Sequence, residues 1–394
     1  MRKLAISLLG FFRKVSLWWH SLRGETPQSL AEQRIVSGKA WEEFCDTLKA
    51  AGASLSFPGT PRDAFSQAEG YRYLTRLTRA GLEAFVEYAD DKAPVIHRVA
   101  HETVKLGSDN PDNHYQTARI NGAYDYVIKG KRNTIHYLTF GTQIGHYGQG
   151  GNMPPTGFLD AAEMDINEDG TFEIILSSRP QEGKNWLPMT EETGTLIIRQ
   201  TYLDRAREQP ADLVISRLGE ETNPGHATPE LIDEGLKSAS TLVAGASLLF
   251  AKWARDFQKH SNALPMFDQE TSNQAGGDPN ITYYHSHWAL GPDEVLVIDA
   301  MPPECEHWNF QLNNYWLESL DYRYYTIHTN KHLATYRDDG SVRIVVAHED
   351  PGLPNWINTV GHESGTMSFR WVQAKDKPQP QTRVVKIGDV TSLP

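Results

Sequence analysis

His285 and His287 stand two residues apart in a run of strand-forming residues, a spacing that projects both imidazoles from one face of a β-strand. β-Barrel metalloenzymes present imidazole pairs in this way, and Glu304, Glu306 and His307 downstream can add a carboxylate and a third imidazole. His285, His287 and Glu304 are thus candidate ligands of a divalent transition metal (iron, manganese or zinc) with open coordination positions. The plainer alternative is a pair of strand histidines on a half-exposed face, which needs no metal.

The segment from Glu306 to Trp316 says more. On strand alternation Trp308, Phe310 and Leu312 face a core, while His307, Asn309, Gln311 and Asn313 face the other way. A solvent face ordinarily carries Lys, Glu or Thr; an unbroken row of imidazole and carboxamides offers uncharged donors and acceptors, as a polar pocket wall does. The expected site has His285, His287 and His307 as acid, base or ligand. Asn309, Gln311 and Asn313 orient a small substrate, and Tyr322 and Arg323 extend the wall. His328 and His332, four apart in a Tyr-rich run, are second choices.

These residues are positioned by a β pattern that occurs twice. Asp169, Gly170 and, sixteen residues on, Asn185, Trp186 return as Asp339, Gly340 and Asn355, Trp356, at an offset of 170. Ile174, Ile175 and Leu176 match Ile344, Val345 and Val346, and Arg199 falls on Arg370 once one residue is added. Such self-similarity predicts two related β units in tandem. Only the second carries the polar row; the first has Leu138 and Phe140 near His136. Paired retention marks the Asn–Trp pairs as architectural, a Trp filling each core beside an Asn that satisfies a turn. Arg199 and Arg370 read as closing a structural contact in each unit.

The fold class is mainly β with helical additions: two tandem antiparallel β-sandwich or jelly-roll-like units, N-terminal helices and a long helix between the units. The divisions are an amphipathic helix at 1–25, a helical region at 26–107, the first β unit at 108–220, a helical connector at 221–277 and a jelly-roll-like domain at 278–394. Ser66 and Glu69 have capping-box spacing before a helix carrying Tyr71, Leu74, Leu77 and Leu82. Thr228, Pro229, Glu230 is a strong helix start, with periodicity running to about His260.

Composition removes several classes. With 50 acidic against 38 basic residues and a net charge of −12, no broad attraction to phosphate backbones exists, so no nucleic-acid partner is expected. Two cysteines, Cys45 and Cys305, make neither a disulfide framework nor a thiolate zinc cluster. Asp165, Asn167, Asp169, Gly170 imitates an EF-hand loop, but position twelve is Leu176 and a strand follows, so a hairpin turn is expected rather than calcium. Nucleophile elbow, zinc-protease helix, phosphate loop and dinucleotide fingerprint are all missing.

PECEHWNFQLNNYWLESLD at 303–321 and DPGLPNWINTVGH at 350–362 resemble the bacterial family called domain of unknown function 1214, over roughly residues 280–385. DNHYQTARING at 112–122 and NWLPM at 185–189 resemble the longer bacterial proteins in which that domain ends the chain. The resemblance implies a jelly-roll-like C-terminal β domain and carries no reaction.

The functional expectation is an enzyme of hydrolase or lyase type, metal-assisted or not, acting on a small neutral aromatic or hydroxylated compound in the C-terminal domain. The alternatives are a non-catalytic carbohydrate- or lipid-binding module and a structural assembly protein. A homo-oligomer in the cytoplasm is expected, with peripheral membrane contact through residues 1–23. There Leu4, Leu8, Phe11, Val15, Trp18 and Leu22 recur at helical spacing among Arg2, Lys3, Arg13, Lys14 and Arg23. The apolar run is too short to span a bilayer, and packing on the protein itself is the other option. The full-length chain is expected to pellet with anionic liposomes at low salt and to be released as salt rises; absence from the low-salt pellet refutes the interfacial reading.

Overall fold

The computed structural model describes residues 26–148, 152–219 and 224–393. The amphipathic segment at 1–25 lies outside the described residues. Pro27 opens α1 (Pro27–Val36), whose Thr26 cap accepts from the Ser29 amide, and α2 spans Lys39–Ala51. Helix α3 (Ala64–Leu82) starts three residues before the expected capping box: the Asp63 carboxylate accepts from the Ser66 amide at 2.8 Å. An Asp is as good a cap as Ser, and Glu69 is engaged elsewhere, on His362. Helix α4 (Pro229–Phe257) begins as expected, with Thr228 accepting from Leu231 N. One stripe of it, including Leu242, Val243, Ala246, Phe250 and Ala254, is buried against α2 and α3. A short helix α5 covers Gln269–Gln274.

The first unit contains β1 (His97–Arg98), β2 (Asn113–Arg119), β3 (Tyr126–Lys131), β4 (Tyr137–Gln143), β5 (Pro155–Asp160), β6 (Thr171–Ser177), β7 (Trp186–Pro188), β8 (Thr195–Thr201) and β9 (Asp212–Arg217). The second contains β10 (Ile281–Ala289), β11 (Glu294–Ala300), β12 (His307–Asn313), β13 (His328–Asn330), β14 (Val342–Ala347), β15 (Trp356–Asn358), β16 (Ser364–Val372) and β17 (Gln381–Lys386). Each unit is a sandwich of two sheets. Order β1-β2-β8-β4-β5 faces β7-β6-β3-β9 in the first; β10-β16-β12-β13 faces β15-β14-β11-β17 in the second. Pairing is antiparallel apart from β6–β7 and β14–β15, a short parallel pair at the same place in each unit.

Alternation fills the cores. In the second unit Trp308, Phe310 and Leu312 from β12 meet Met367, Phe369 and Trp371 from β16, and Leu296, Ile298, Ile344 and Val346 close from the opposite sheet. The Phe369 ring stacks on Trp308 and meets Trp371 edge-on at 4.6 Å. The hairpin glycines Gly170 and Gly340 sit at φ 83° and 81°, which only glycine adopts without strain. Asn185 bonds the backbone of Asp165, and Asn355 bonds that of Thr335, each through both amide atoms at 2.8 Å. The accompanying tryptophans do not fill the cores. Trp186 and Trp356 are half-buried, and their indole N–H groups donate to Ser177 O and Ala347 O. Indole is wide enough to reach past a strand edge to a carbonyl, and the core space is already taken, by Phe140 and Phe172 in the first unit and by Trp308, Phe310 and Phe369 in the second.

No helix among the described residues is long and apolar enough to cross a membrane. Phe369 is fully buried among aromatic rings, so Phe369→Ala leaves a void that rigid neighbours cannot close and is expected to cost about 3–5 kcal/mol. Urea unfolding followed by Trp fluorescence measures it; a cost under about 1 kcal/mol contradicts this account of the core.

Candidate functional site

The two units meet through the sheet faces that point away from their own cores. In the first unit Arg199 on β8 stands between Tyr115 on β2 and Thr139 on β4; in the second Arg370 on β16 stands between Tyr283 on β10 and Asn309 on β12. Each face receives a proline turn from the other unit, and the two turns are chemically matched. Asn110, Pro111, Asp112 precedes β2 and Asp278, Pro279, Asn280 precedes β10.

The contacts are reciprocal. Arg370 donates to Ser108 O at 2.6 Å, while Arg199 donates to Gly276 O. Asn309 donates to Asn110 Oδ1, while Thr139 donates to Asp278 Oδ2 at 3.2 Å. His307 Nε2 donates to Asp112 at 3.2 Å, while Asn280 donates to the Tyr137 hydroxyl at 3.3 Å. Within each turn a backbone N–H donates to a tyrosine hydroxyl five residues on, Asn110 to Tyr115 at 3.1 Å and Asp278 to Tyr283 at 3.3 Å.

Between these faces and helices α3, α4 and α5 lies a cavity of about 240 Å³. Its apolar wall includes Phe85, Leu242, Phe250, Trp253 and Phe267; its polar wall includes Tyr115, Arg119, Arg199, Tyr283, His285 and Arg370. Tyr115, Arg199, Tyr283 and His285 lie in the interior yet remain only half-buried, because part of their surface is cavity wall. The helical wall is held by backbone contact: a Cβ on Gly148 would sit 2.4 Å from Thr241 C, and one on Gly245 2.5 Å from Tyr147 O. A side chain at either glycine would push α4 off its seat.

This wall carries three guanidiniums, Arg119, Arg199 and Arg370, beside the Asp109 carboxylate. Among the described residues the Arg199 and Arg370 guanidiniums hydrogen-bond only to uncharged oxygens: Arg199 to Gly276 O, and Arg370 to Ser108 O, Asn309 Oδ1 and Gln311 Oε1. The nearby carboxylates are engaged elsewhere. Asp109 accepts from Ser319 N and Oγ; Asp278 accepts from Thr139 and Asn280 N, and burial raises its pKa despite the Arg199 charge. Burial pushes Tyr283 up to about 12 and, with help from Arg370, His285 down to about 3. His146, nine-tenths buried in the same lining, accepts from Gly148 N on Nδ1, which leaves an Nε2–H without a partner.

The row His307, Asn309, Gln311, Asn313 has no accessible surface and does not line the cavity. Strand alternation located its face, but the expected pocket wall is covered by the turn from the first unit. Asp112 is its centre. One carboxylate oxygen accepts from His307 Nε2 at 3.2 Å and Asn309 Nδ2 at 3.0 Å, the other from His328 Nε2 at 3.1 Å and Asn330 Nδ2 at 3.0 Å. His285 does reach the cavity, with Nδ1 on Ser368 Oγ at 2.8 Å.

His287 is off the cavity lining, bonded to Ser261 Oγ at 2.9 Å and pushed by burial to about 4. Glu304 is exposed and paired with Lys375, so it is not brought to the histidines, and among the described residues no group of three His, Cys, Asp or Glu is set to hold a metal. Tyr322 sits under Lys105, 4.7 Å from the ring centre, and Arg323 is tied to Asp321 at the surface. Tyr115 and Tyr283 had a legible signal that residue-type reasoning passed over, a matched Asn/Asp–Pro–Asp/Asn turn with Tyr following, at an offset of 168.

Asp112 is buried, which alone would raise its pKa, but the His328 charge and the hydrogen bonds from His307 and His328 outweigh this and hold it well below the usual range. A depressed folded-state pKa contributes stability above the unfolded value, near 3.9, that is lost as pH falls through the folded value. Asp112→Asn turns an amide N–H₂ toward two donors, and at pH 7 is expected to cost about 3–5 kcal/mol. Denaturant titrations should show the gap closing below about pH 4; a gap that is constant from pH 7 to 3 refutes the assignment.

The model of the family described as "Protein of unknown function (DUF1214)" matches residues 152–203 and 295–376. The crystal structure of an uncharacterized protein from Burkholderia cenocepacia is 48% identical, with a TM-score of 0.89 and coverage of 90% of this chain and 99% of that one. The VPA0106 protein from Vibrio parahaemolyticus is 11% identical at a TM-score of 0.46, covering 81% of this chain and 98% of that one. Among curated proteins none matches. With that family match and a relative 48% identical over 90% of the chain, the chain belongs to the DUF1214 family of unknown function.

Proposed function

We propose that the protein binds a small amphipathic anion, an aromatic or short aliphatic carboxylate, in the cavity between its two units. The observation that carries this reading is the pair of interior guanidiniums, Arg199 and Arg370, with no hydrogen-bonded carboxylate among the described residues. Asp278 acts on Arg199 only through space, without a hydrogen bond to it, and a ligand anion supplies the hydrogen-bonded anionic partner that both guanidiniums lack. The hydroxyls of Tyr115 and Tyr283 each accept a backbone N–H, which leaves their own protons for the same anion. Phe250, Trp253 and Phe267 offer the apolar body its surface. Since a cavity of about 150 Å³ holds benzene, 240 Å³ has room for an aromatic ring carrying a short acid chain.

This reading replaces a neutral substrate in the C-terminal domain by an anion shared between units. A hydrolase- or lyase-type reaction is the second reading, favoured by His97: its Nδ1 faces Val95 O, leaving an unpartnered Nε2 lone pair as a base in the cavity lining. The matched sheet orders and the Asn–Pro–Asp and Asp–Pro–Asn turns support descent of the two units from one duplicated ancestor.

Calorimetric titration with 4-phenylbutanoate and with its amide tests the anion. The carboxylate is expected to bind at least about tenfold more tightly, a difference of 1.4 kcal/mol, and Arg199→Met is expected to erase the preference while thermal unfolding stays cooperative. Equal binding of acid and amide, or an unchanged preference in the variant, overturns the proposal.

A further inference from the structure

The buried row on β12 is connected end to end, and its ends have fixed polarity. Arg370 can only donate and an ionised Asp112 can only accept, so every amide between them has one permitted orientation. Arg370 donates to Gln311 Oε1 at 2.6 Å, which makes Gln311 Nε2 the donor to Asn313 Oδ1, also at 2.6 Å. Asn313 Nδ2 then donates to Ser108 Oγ at 3.0 Å. Asn309, which accepts from Arg370 and donates to Asp112, is pinned the same way.

The direction continues beyond the row. Ser108 Oγ, having accepted from Asn313, has one further partner for its own proton, Ser368 Oγ at 2.6 Å. Ser368 in turn donates to His285 Nδ1 at 2.8 Å. The reverse order would leave the buried Ser108 proton without an acceptor, at a site nine-tenths or more enclosed. Ser108 is held in place for this role: its φ of 64° lies in the left-handed region and its amide donates to Leu317 O at 2.7 Å. The His285 ring is stacked within 20° on both Phe257 and Tyr283, which opposes a turn that would exchange its nitrogens.

We propose that this one-way chain from Arg370 locks His285 as the Nε2–H tautomer, an uncharged donor facing the cavity, and that the ligand therefore carries a neutral oxygen acceptor in addition to its anionic group. The inference rests on the anion reading and narrows it to carboxylates that carry a second, uncharged oxygen, of which an oxo-acid is the simplest probe. Tyr283 and His285 rings are centred 5.5 Å apart along one strand face, which suits a carbonyl three or four bonds from a carboxylate. His285 is a positioning and specificity residue here; it takes no proton from the ligand.

Two measurements on the full chain decide this. In protein labelled with ¹⁵N-histidine, His285 is expected to show a protonated Nε2 and bare Nδ1 throughout neutral pH, with a mixture of tautomers in Ser368→Ala. Ser108→Gly, which suits the left-handed backbone, is the second variant and is expected to lose the single tautomer too. A wild-type His285 with Nδ1–H, or an unaltered tautomer in both variants, overturns the chain. In calorimetry 4-oxo-4-phenylbutanoate is expected to bind about three- to tenfold more tightly than 4-phenylbutanoate, with the advantage gone in Ser368→Ala. Equal binding of the two acids sinks the acceptor claim while the anion reading stands, and binding of neither sinks both.

Discussion

A guanidinium cannot accept a hydrogen bond, and this constraint at Arg370 organises the centre of the molecule. From Arg370 the orientation of Asn309, Gln311 and Asn313 follows, and from theirs the docking of the Ser108–Asp112 turn. Buried polar groups are stabilising only when all are satisfied. The three carboxamides on β12 meet that condition by using a segment about two hundred residues earlier in the chain as their partner, while His307 is satisfied through Nε2 and leaves Nδ1 unpartnered, so the second unit's polar face is completed largely by the first unit.

The first unit's face is completed in the same manner with cheaper chemistry. Where β12 has His307 and Asn309, β4 has Tyr137 and Thr139, and the turn that meets them carries Asp278 and Asn280. One interface is a charge-centred cluster around Asp112 and the other a looser set of hydroxyl and amide contacts. The matching geometry fixes how the units sit; the unequal chemistry concentrates titratable groups on one side. The cavity between them inherits an arginine and a tyrosine from each.

Much of the fold was legible because its signals are local. The glycine hairpins, the Thr228 cap and the alternation of Trp308, Phe310 and Leu312 each act within a few residues, and each reads directly from residue type. The site was legible only in part. Alternation shows that His307 through Asn313 share a face, yet whether that face meets water, ligand or protein depends on residues 108–112, whose arrival no local pattern announces. His285 and His287 looked equivalent by spacing. Packing separates them, since Phe257 and Phe267 carry one to the cavity while Ser261 holds the other. Glu304 fails as a ligand because a surface lysine, Lys375, is nearer to it than any histidine partner.

The placement of the cavity has an energetic consequence. Its walls come from both sandwiches and from α4, so it exists only when the units are docked. Both guanidiniums bond the other unit's backbone but, among the described residues, hydrogen-bond no carboxylate, Arg199 having only the through-space charge of Asp278, whereas Asp112 and the carboxamides of β12 are paired with one another across the interface. A ligand anion that binds the docked arrangement alone stabilises it by mass action, in proportion to the logarithm of its concentration over its Kd. On the proposed function, a ligand that binds only the docked units couples its recognition to their seating, and Arg370, which lines the cavity, also organises the interface.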